Sequence, residues 1–260
     1  MARSRPTRRP AWPATADPDV LLGIIWPRRT ADPAATNPDG MPDRPRRLRL
    51  FGVACARMVW ELLPTDTRSA VLLSERLAEG RATIADLQAA AVRMSYSATT
   101  AGQKAQIAAG WAAVGVWGFP PYPENHYQWN PAEAARWAAT ALATHAAGPA
   151  PPGGSPDAKE WQAAYNIPYQ AARAHQAEVL RDIFPPPGYT PVLPPHWRTS
   201  TVVAVAKQLE EVGDFSAVPI LADALQDAGC DDDVMLARCR AVSGIHCRGN
   251  WVVDLVLDRE

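Results

Sequence analysis

Apolar residues recur at three- and four-residue steps through most of this chain, and proline, glycine and short polar residues punctuate them. Leu48, Phe51, Cys55, Met58 and Leu62 fall on one face of a helix expected from Pro45 to Leu63. Pro45 fits its first turn and Pro64 stops it. Asp66 is placed to cap a second helix that ends near Gly80, with Leu73 and Leu77 facing inward. Thr83 and Asp86 have the spacing of a capping box for a third helix through Ala89 to Val92, continuing with a break towards Ala113. Asn130, Pro131 and Glu133 start a helix that reaches about Ala147. Residues 157–184 read as helix interrupted near Pro168.

Beyond Pro185, Ser200 caps Thr201 to Val212 and Gly213 closes it. Pro219 to Gly229 is the next helix, and Asp232 or Asp233 caps a short one through Cys239. Residues Trp251 to Leu257 have propensity for strand or helix. Helix is expected, because no second strand is evident to pair with them. Near the amino end a short helical turn at Val20 to Trp26 docks through Leu21, Leu22, Ile25 and Trp26.

These elements predict an all-α, irregular multi-helix globular domain of about eight or nine helices with Pro-rich loops. A length of 260 residues allows one large domain or two small ones. Residues 1–44 read as an Arg/Pro-rich segment with one short helix, and 45–260 as a single helical domain. An internal boundary, if there is one, falls in the low-complexity stretch 148–156. No fixed-period repeat is apparent.

Charge changes this picture in one respect. The net charge of −1 argues against a surface built entirely for nucleic acid. Yet residues 1–50 carry ten arginines against five aspartates, whereas residues 210–260 carry eleven acids against four arginines. The arginines Arg44, Arg46, Arg47 and Arg49 offer contacts for phosphates. At helical spacing they equally form a solvated face opposite Leu48 and Phe51, with the acidic carboxyl-terminal third as an internal partner.

The four cysteines are Cys55, Cys230, Cys239 and Cys247. No secretory leader precedes them: Val20 to Trp26 is too short and Pro27 follows at once. No run approaches the length of a membrane span. A cytoplasmic protein with reduced thiols, away from membranes, is therefore expected.

Several stretches resemble, in order, a family of uncharacterised bacterial helical proteins associated with repeat-companion-type domains. They are Leu48-Arg49-Leu50-Phe51 through Trp60-Glu61-Leu62-Leu63, Ser74 to Gly80, Leu180-Arg181-Asp182-Ile183-Phe184, Leu221-Ala222-Asp223-Ala224-Leu225, Gly229-Cys230-Asp231-Asp232, and His246 to Leu257. The resemblance implies one shared architecture and no activity. This chain departs from the pattern at Arg238-Cys239-Arg240, where the family tends to begin with histidine. It departs again at Asn250, where the family tends to have cysteine.

Three constellations are candidates for chemistry or binding. Cys230, Cys239, His246 and Cys247 supply four zinc donors within eighteen residues. Cys230 and Cys239 are too far apart for a knuckle, and as free thiols they also suit an apolar core. Asp231-Asp232-Asp233 lacks the alternation of a calcium loop and suits a helix start. Trp117, Phe119, Tyr122, Tyr127 and Trp129 form an aromatic, weakly charged stretch of the kind found at protein interfaces, or a satellite core pinning a loop.

No Gly-x-Ser-x-Gly, His-Glu-x-x-His, phosphate-loop or dinucleotide motif is present. The expectation is a non-catalytic protein-interaction or accessory module with a protein partner and no cofactor. An Arg-mediated nucleic-acid binder is one alternative. An enzyme supported by a metal at the carboxyl-terminal Cys/His group is another.

Overall fold

The computed structural model describes residues 11–25, 45–91, 131–153 and 155–259. Among them are ten α-helices and no strand: α1 (Pro18–Ile25), α2 (Pro45–Arg57), α3 (Thr65–Ala78), α4 (Ile84–Ala91), α5 (Pro131–Ala147), α6 (Ala158–Ile183), α7 (Ser200–Val212), α8 (Val218–Asp227), α9 (Asp233–Cys239) and α10 (Trp251–Val256). The fold is all-α, as the periodicity predicts. None of these helices is long and apolar enough to cross a membrane.

The helices bury two apolar clusters. The first gathers Leu21 and Leu22 of α1, Phe51 and Cys55 of α2, Val71 of α3, an alanine face of α5, and Leu180 and Ile183 of α6. Ala134, Ala135, Ala138 and Ala141 are almost wholly buried, and such small side chains let α5 approach its neighbours closely. α5 and α6 are the most extensively packed pair and run antiparallel. Trp161 Nε1 donates to the Gly148 carbonyl at one end and Gln176 Nε2 to that of Ala135 at the other. Residues 148–156 thus join two helices of one cluster. The second cluster begins beyond Phe184 and contains Val202, Leu209, Leu221, Leu225, Cys230, Met235, Cys239 and Trp251 to Val253.

Local departures from the expected elements have local causes. α2 ends at Arg57, not Leu63, and a 3-10 turn follows at Trp60–Leu62. Arg68 reaches back to the carbonyls left open there, donating to Leu63 (2.9 Å) and Glu61 (3.0 Å). α6 runs through Pro168 without a break. The proline deprives only the Ala164 carbonyl of its donor, and Ala164 is exposed, so water can take the missing place. Thr199, one residue before Ser200, caps α7 by accepting from Val202 N, whereas Asp232 caps α9 as anticipated. The Thr83–Asp86 capping box forms as well. Pro64, with no side chain to offer, precedes α3, and Asp66 lies inside its first turn. Trp251–Val256 is helix, capped by Asn250.

One glycine fixes how the two clusters meet. Gly249 has φ +91°, and a β-carbon there would stand 2.8 Å from Leu50 Cδ1 and 3.4 Å from its Cβ. A side chain at this position would combine backbone strain with a clash against α2.

Candidate functional site

The junction between the clusters is organised by Asp182, near the end of α6 and wholly buried. Its Oδ1 accepts from His246 Nδ1 (2.7 Å) and Asn250 Nδ2 (2.6 Å), and its Oδ2 from the Cys247 backbone amide (2.9 Å). Arg238 Nε lies 3.3 Å from Oδ1, and the same guanidinium donates to the Ile245 carbonyl (3.0 Å). Asn250 faces both ways, because its Oδ1 accepts from Val252 N and Val253 N and so caps α10. One carboxylate therefore ties α6 to α9, to the 245–250 loop and to the start of α10.

The proposed metal donors meet here in part. His246 spends Nδ1 on Asp182, and its side chain is 1% exposed. Cys247 lies against the first cluster, and Cys230 and Cys239 belong to the second. Burial pushes the thiols of Cys239 and Cys247 well up, and the charge of Asp182 adds to the effect. Burial likewise raises Cys55, against the lowering charge of Arg173. Among the described residues no group of three or more His, Cys, Asp and Glu side chains is disposed to hold a metal ion. An Asp–His pair with a second ring nitrogen to spare resembles the orienting half of a catalytic triad. His246 Nε2, however, is buried without a hydrogen-bond partner among the described residues, so no nucleophile–base link is formed.

The arginines read as a solvated face turn inward instead. Arg46 grips Asp254 at 2.6 and 3.0 Å and Glu79 at 3.0 Å. Arg47 Nε is 4.0 Å from Asp254, and Arg49 is 6% exposed with Nη1 3.4 Å from Ser74 Oγ. Burial lowers the pKa of Arg49. The expectation fails because Ser74 of α3, Glu79 just beyond it and Asp254 of α10 reach these arginines, so the face opposite Phe51 is engaged as well. The acidic carboxyl-terminal partner is real: Asp254 answers Arg46 and Arg47. Arg44 and the aromatic residues Trp117, Phe119, Tyr122, Tyr127 and Trp129 lie outside the described residues.

Ion pairs extend this seam. Glu75 joins Arg57 to Arg248, Glu210 joins Arg248 to Arg259, and Glu79 joins Arg259 to Arg46. Burial lifts the Asp254 carboxyl above its ordinary range, and the hydrogen bonds and charge of Arg46 and the charge of Arg47 offset this without cancelling it. A carboxyl whose pKa is higher folded than unfolded holds its proton more tightly in the native state. Its contribution to stability is therefore fullest below the unfolded value and is lost as pH rises through the folded one. Denaturant midpoints of wild type and Asp254→Asn, compared from about pH 4 to about pH 7, should diverge in the variant's favour as pH rises. A constant difference across that range would contradict the assignment.

A surface concavity lies nearby. Residues 12–16 run along α6 and leave a groove of about 640 Å³, a volume in the range of ligand pockets. Trp12, Ala14 and Ala16 line one side, and Ala171, Ala174 and Glu178 the other. Arg181 fastens the segment by donating to the carbonyls of Pro13 (2.8 Å) and Thr15 (2.6 Å). His175, on the same helix face, has its pKa lowered by burial against the raising charge of Glu178.

Neither Asp182 nor this groove stands out in the sequence as a site. Both lie on the α6 face that carries His175 and Glu178, which by pattern alone reads as solvated. The Leu-Arg-Asp-Ile-Phe stretch drew notice as part of a resemblance, not as chemistry. No family model, no curated protein and no solved structure matches the chain.

Proposed function

We propose that this protein is a non-catalytic interaction module that presents the groove between residues 12–16 and α6 to a protein partner. The groove supports this reading: it joins apolar walls from Trp12, Ala171 and Ala174 to a polar rim at Glu178 and Arg181. An apolar centre edged by polar groups is the composition of protein interfaces. The groups that would carry chemistry, by contrast, are engaged in holding helices together. Asp182 and the His246 side chain are sealed between the two clusters.

The test is affinity capture from a native lysate with wild type and with Ala171→Arg. Ala171 is exposed on α6, so arginine is tolerated by the helix while it fills the groove. A protein retained by wild type and lost with the variant supports the reading, provided both chains show equal helicity. The same proteins captured by both would refute it.

A further inference from the structure

A proline-rich strap, residues 185–199, links α6 to α7 over the second cluster. Six of the eleven residues from Pro185 to Pro195 are proline. Tyr189 and Leu193 pack against the cluster, and Trp197 is part of it. Hydrogen bonds fasten the same stretch: Tyr189 donates to Asp232 (2.6 Å), and Arg198 Nε donates to the Val256 carbonyl of α10 (2.9 Å). The strap is therefore pinned at every fourth residue, and the residues between the pins are what it can display.

Sequence and packing confine this stretch to one kind of backbone. Each proline fixes its own φ near about −65°. The residues that precede a proline, Thr190, Leu193 and Pro194, are pushed towards extended conformations. Only Val192 escapes both rules. The chain is thus held to polyproline-like backbone up to the turn that Trp197 N closes on the Pro194 carbonyl (3.0 Å). Such backbone has about three residues per turn, so positions i and i+3 share an edge. Burial follows that period: Leu193 faces the cluster, Val192 is 64% exposed, Pro195 is exposed, and Pro191 and Pro194 are half-buried. Pro191-Val192 and then Pro194-Pro195 form an outward ridge. The carbonyls from Thr190 to Leu193 accept from no backbone donor among the described residues.

We infer that residues 190–195 are a ligand for a partner domain whose aromatic-lined groove recognises polyproline backbone. Hydrogen-bonding capacity selects this occupant over a sheet edge. From 191 to 195 backbone N–H groups remain only on Val192 and Leu193. These neighbours point to opposite sides of an extended chain, so an added strand finds a single donor. An aromatic groove takes what the strap does offer: apolar proline flanks, and open carbonyls to which tryptophan and tyrosine side chains donate. The pins at Tyr189, Leu193 and Trp197 hold this shape before binding, so little ordering entropy is lost. The inference is independent of the groove beside α6, because the strap packs on the second cluster and Trp12 and Ile245 of the groove pack on the first.

The probes are isotopically labelled SH3, WW and EVH1 domains, which carry such grooves, and a PDZ domain, which pairs through a sheet edge. Each is titrated with the full chain and followed by nuclear magnetic resonance. Saturable shifts confined to the aromatic groove of at least one of the first three are expected. Affinity should fall at least about tenfold with Pro191→Ala/Pro194→Ala, which loosens the preformed backbone, and with Val192→Glu. Val192→Glu changes an exposed side chain and keeps all three pins, so it decides the outcome if circular dichroism shows the double variant unfolded. No saturation by roughly 1 mM of the full chain, or equal affinity for wild type and Val192→Glu, overturns the inference. Saturation of the PDZ domain alone, or self-association of the chain that Val192→Glu abolishes in place of groove binding, overturns it too, since each assigns the strap to another occupant.

Discussion

Asp182→Ala should lower stability by about 3–5 kcal/mol, the range for removing one partner from a buried charged cluster. The loss is large because the carboxylate serves four groups at once: His246, Asn250, the Cys247 amide and Arg238. Truncation leaves Arg238 without its nearest buried counter-charge and frees the 245–250 loop from α6. Asp182→Asn keeps the shape but turns an amide donor towards one of these donors, so it should fall between alanine and wild type. Urea denaturation followed by far-ultraviolet circular dichroism measures both. A loss under about 1 kcal/mol for the alanine variant would mean that the carboxylate is not what joins the clusters.

Trp251→Ala is expected to cost a similar amount, about 3–5 kcal/mol, for a different reason. The indole is 1% exposed and meets Tyr189 edge-on at 5.7 Å between ring centres. Tyr189 in turn donates to Asp232 (2.6 Å), so the aromatic contact also steadies the residue that caps α9. Trp251 Nε1 is buried with no partner among the described residues. Its hydrogen-bonding capacity is therefore unused, and Trp251→Phe should cost about half as much or less. Equal losses for the two variants would contradict that expectation.

Helices are legible in this sequence wherever one face is apolar and a cap stands at the right offset. Thr83 with Asp86 and Asp232 before α9 are of that kind, because capping is decided within four residues. What a distant segment decides is not legible. Arg46 and Arg49 read as solvated until Asp254 of α10 and Ser74 of α3 are brought up to them. Asp182 sits on a polar face of α6 and is buried by a loop more than sixty residues further on, so nothing local distinguishes it from Glu178. Pro168 misleads in the other direction. Its steric rule holds, but on an exposed flank water can satisfy the carbonyl that the ring leaves free.

The charge seam has a consequence for how the chain matures as it is made. Glu79, Glu75 and Arg46 emerge early from a ribosome, yet their counterparts Arg248, Asp254 and Arg259 follow some 170 to 210 residues later. Domains generally acquire structure from the amino end during synthesis. Here the early helices must wait, with their charges hydrated and Asp182 uncovered, until residues 245–259 have been translated. Ribosome-bound intermediates halted before residue 245 would thus offer a longer opening for chaperones than the finished fold does.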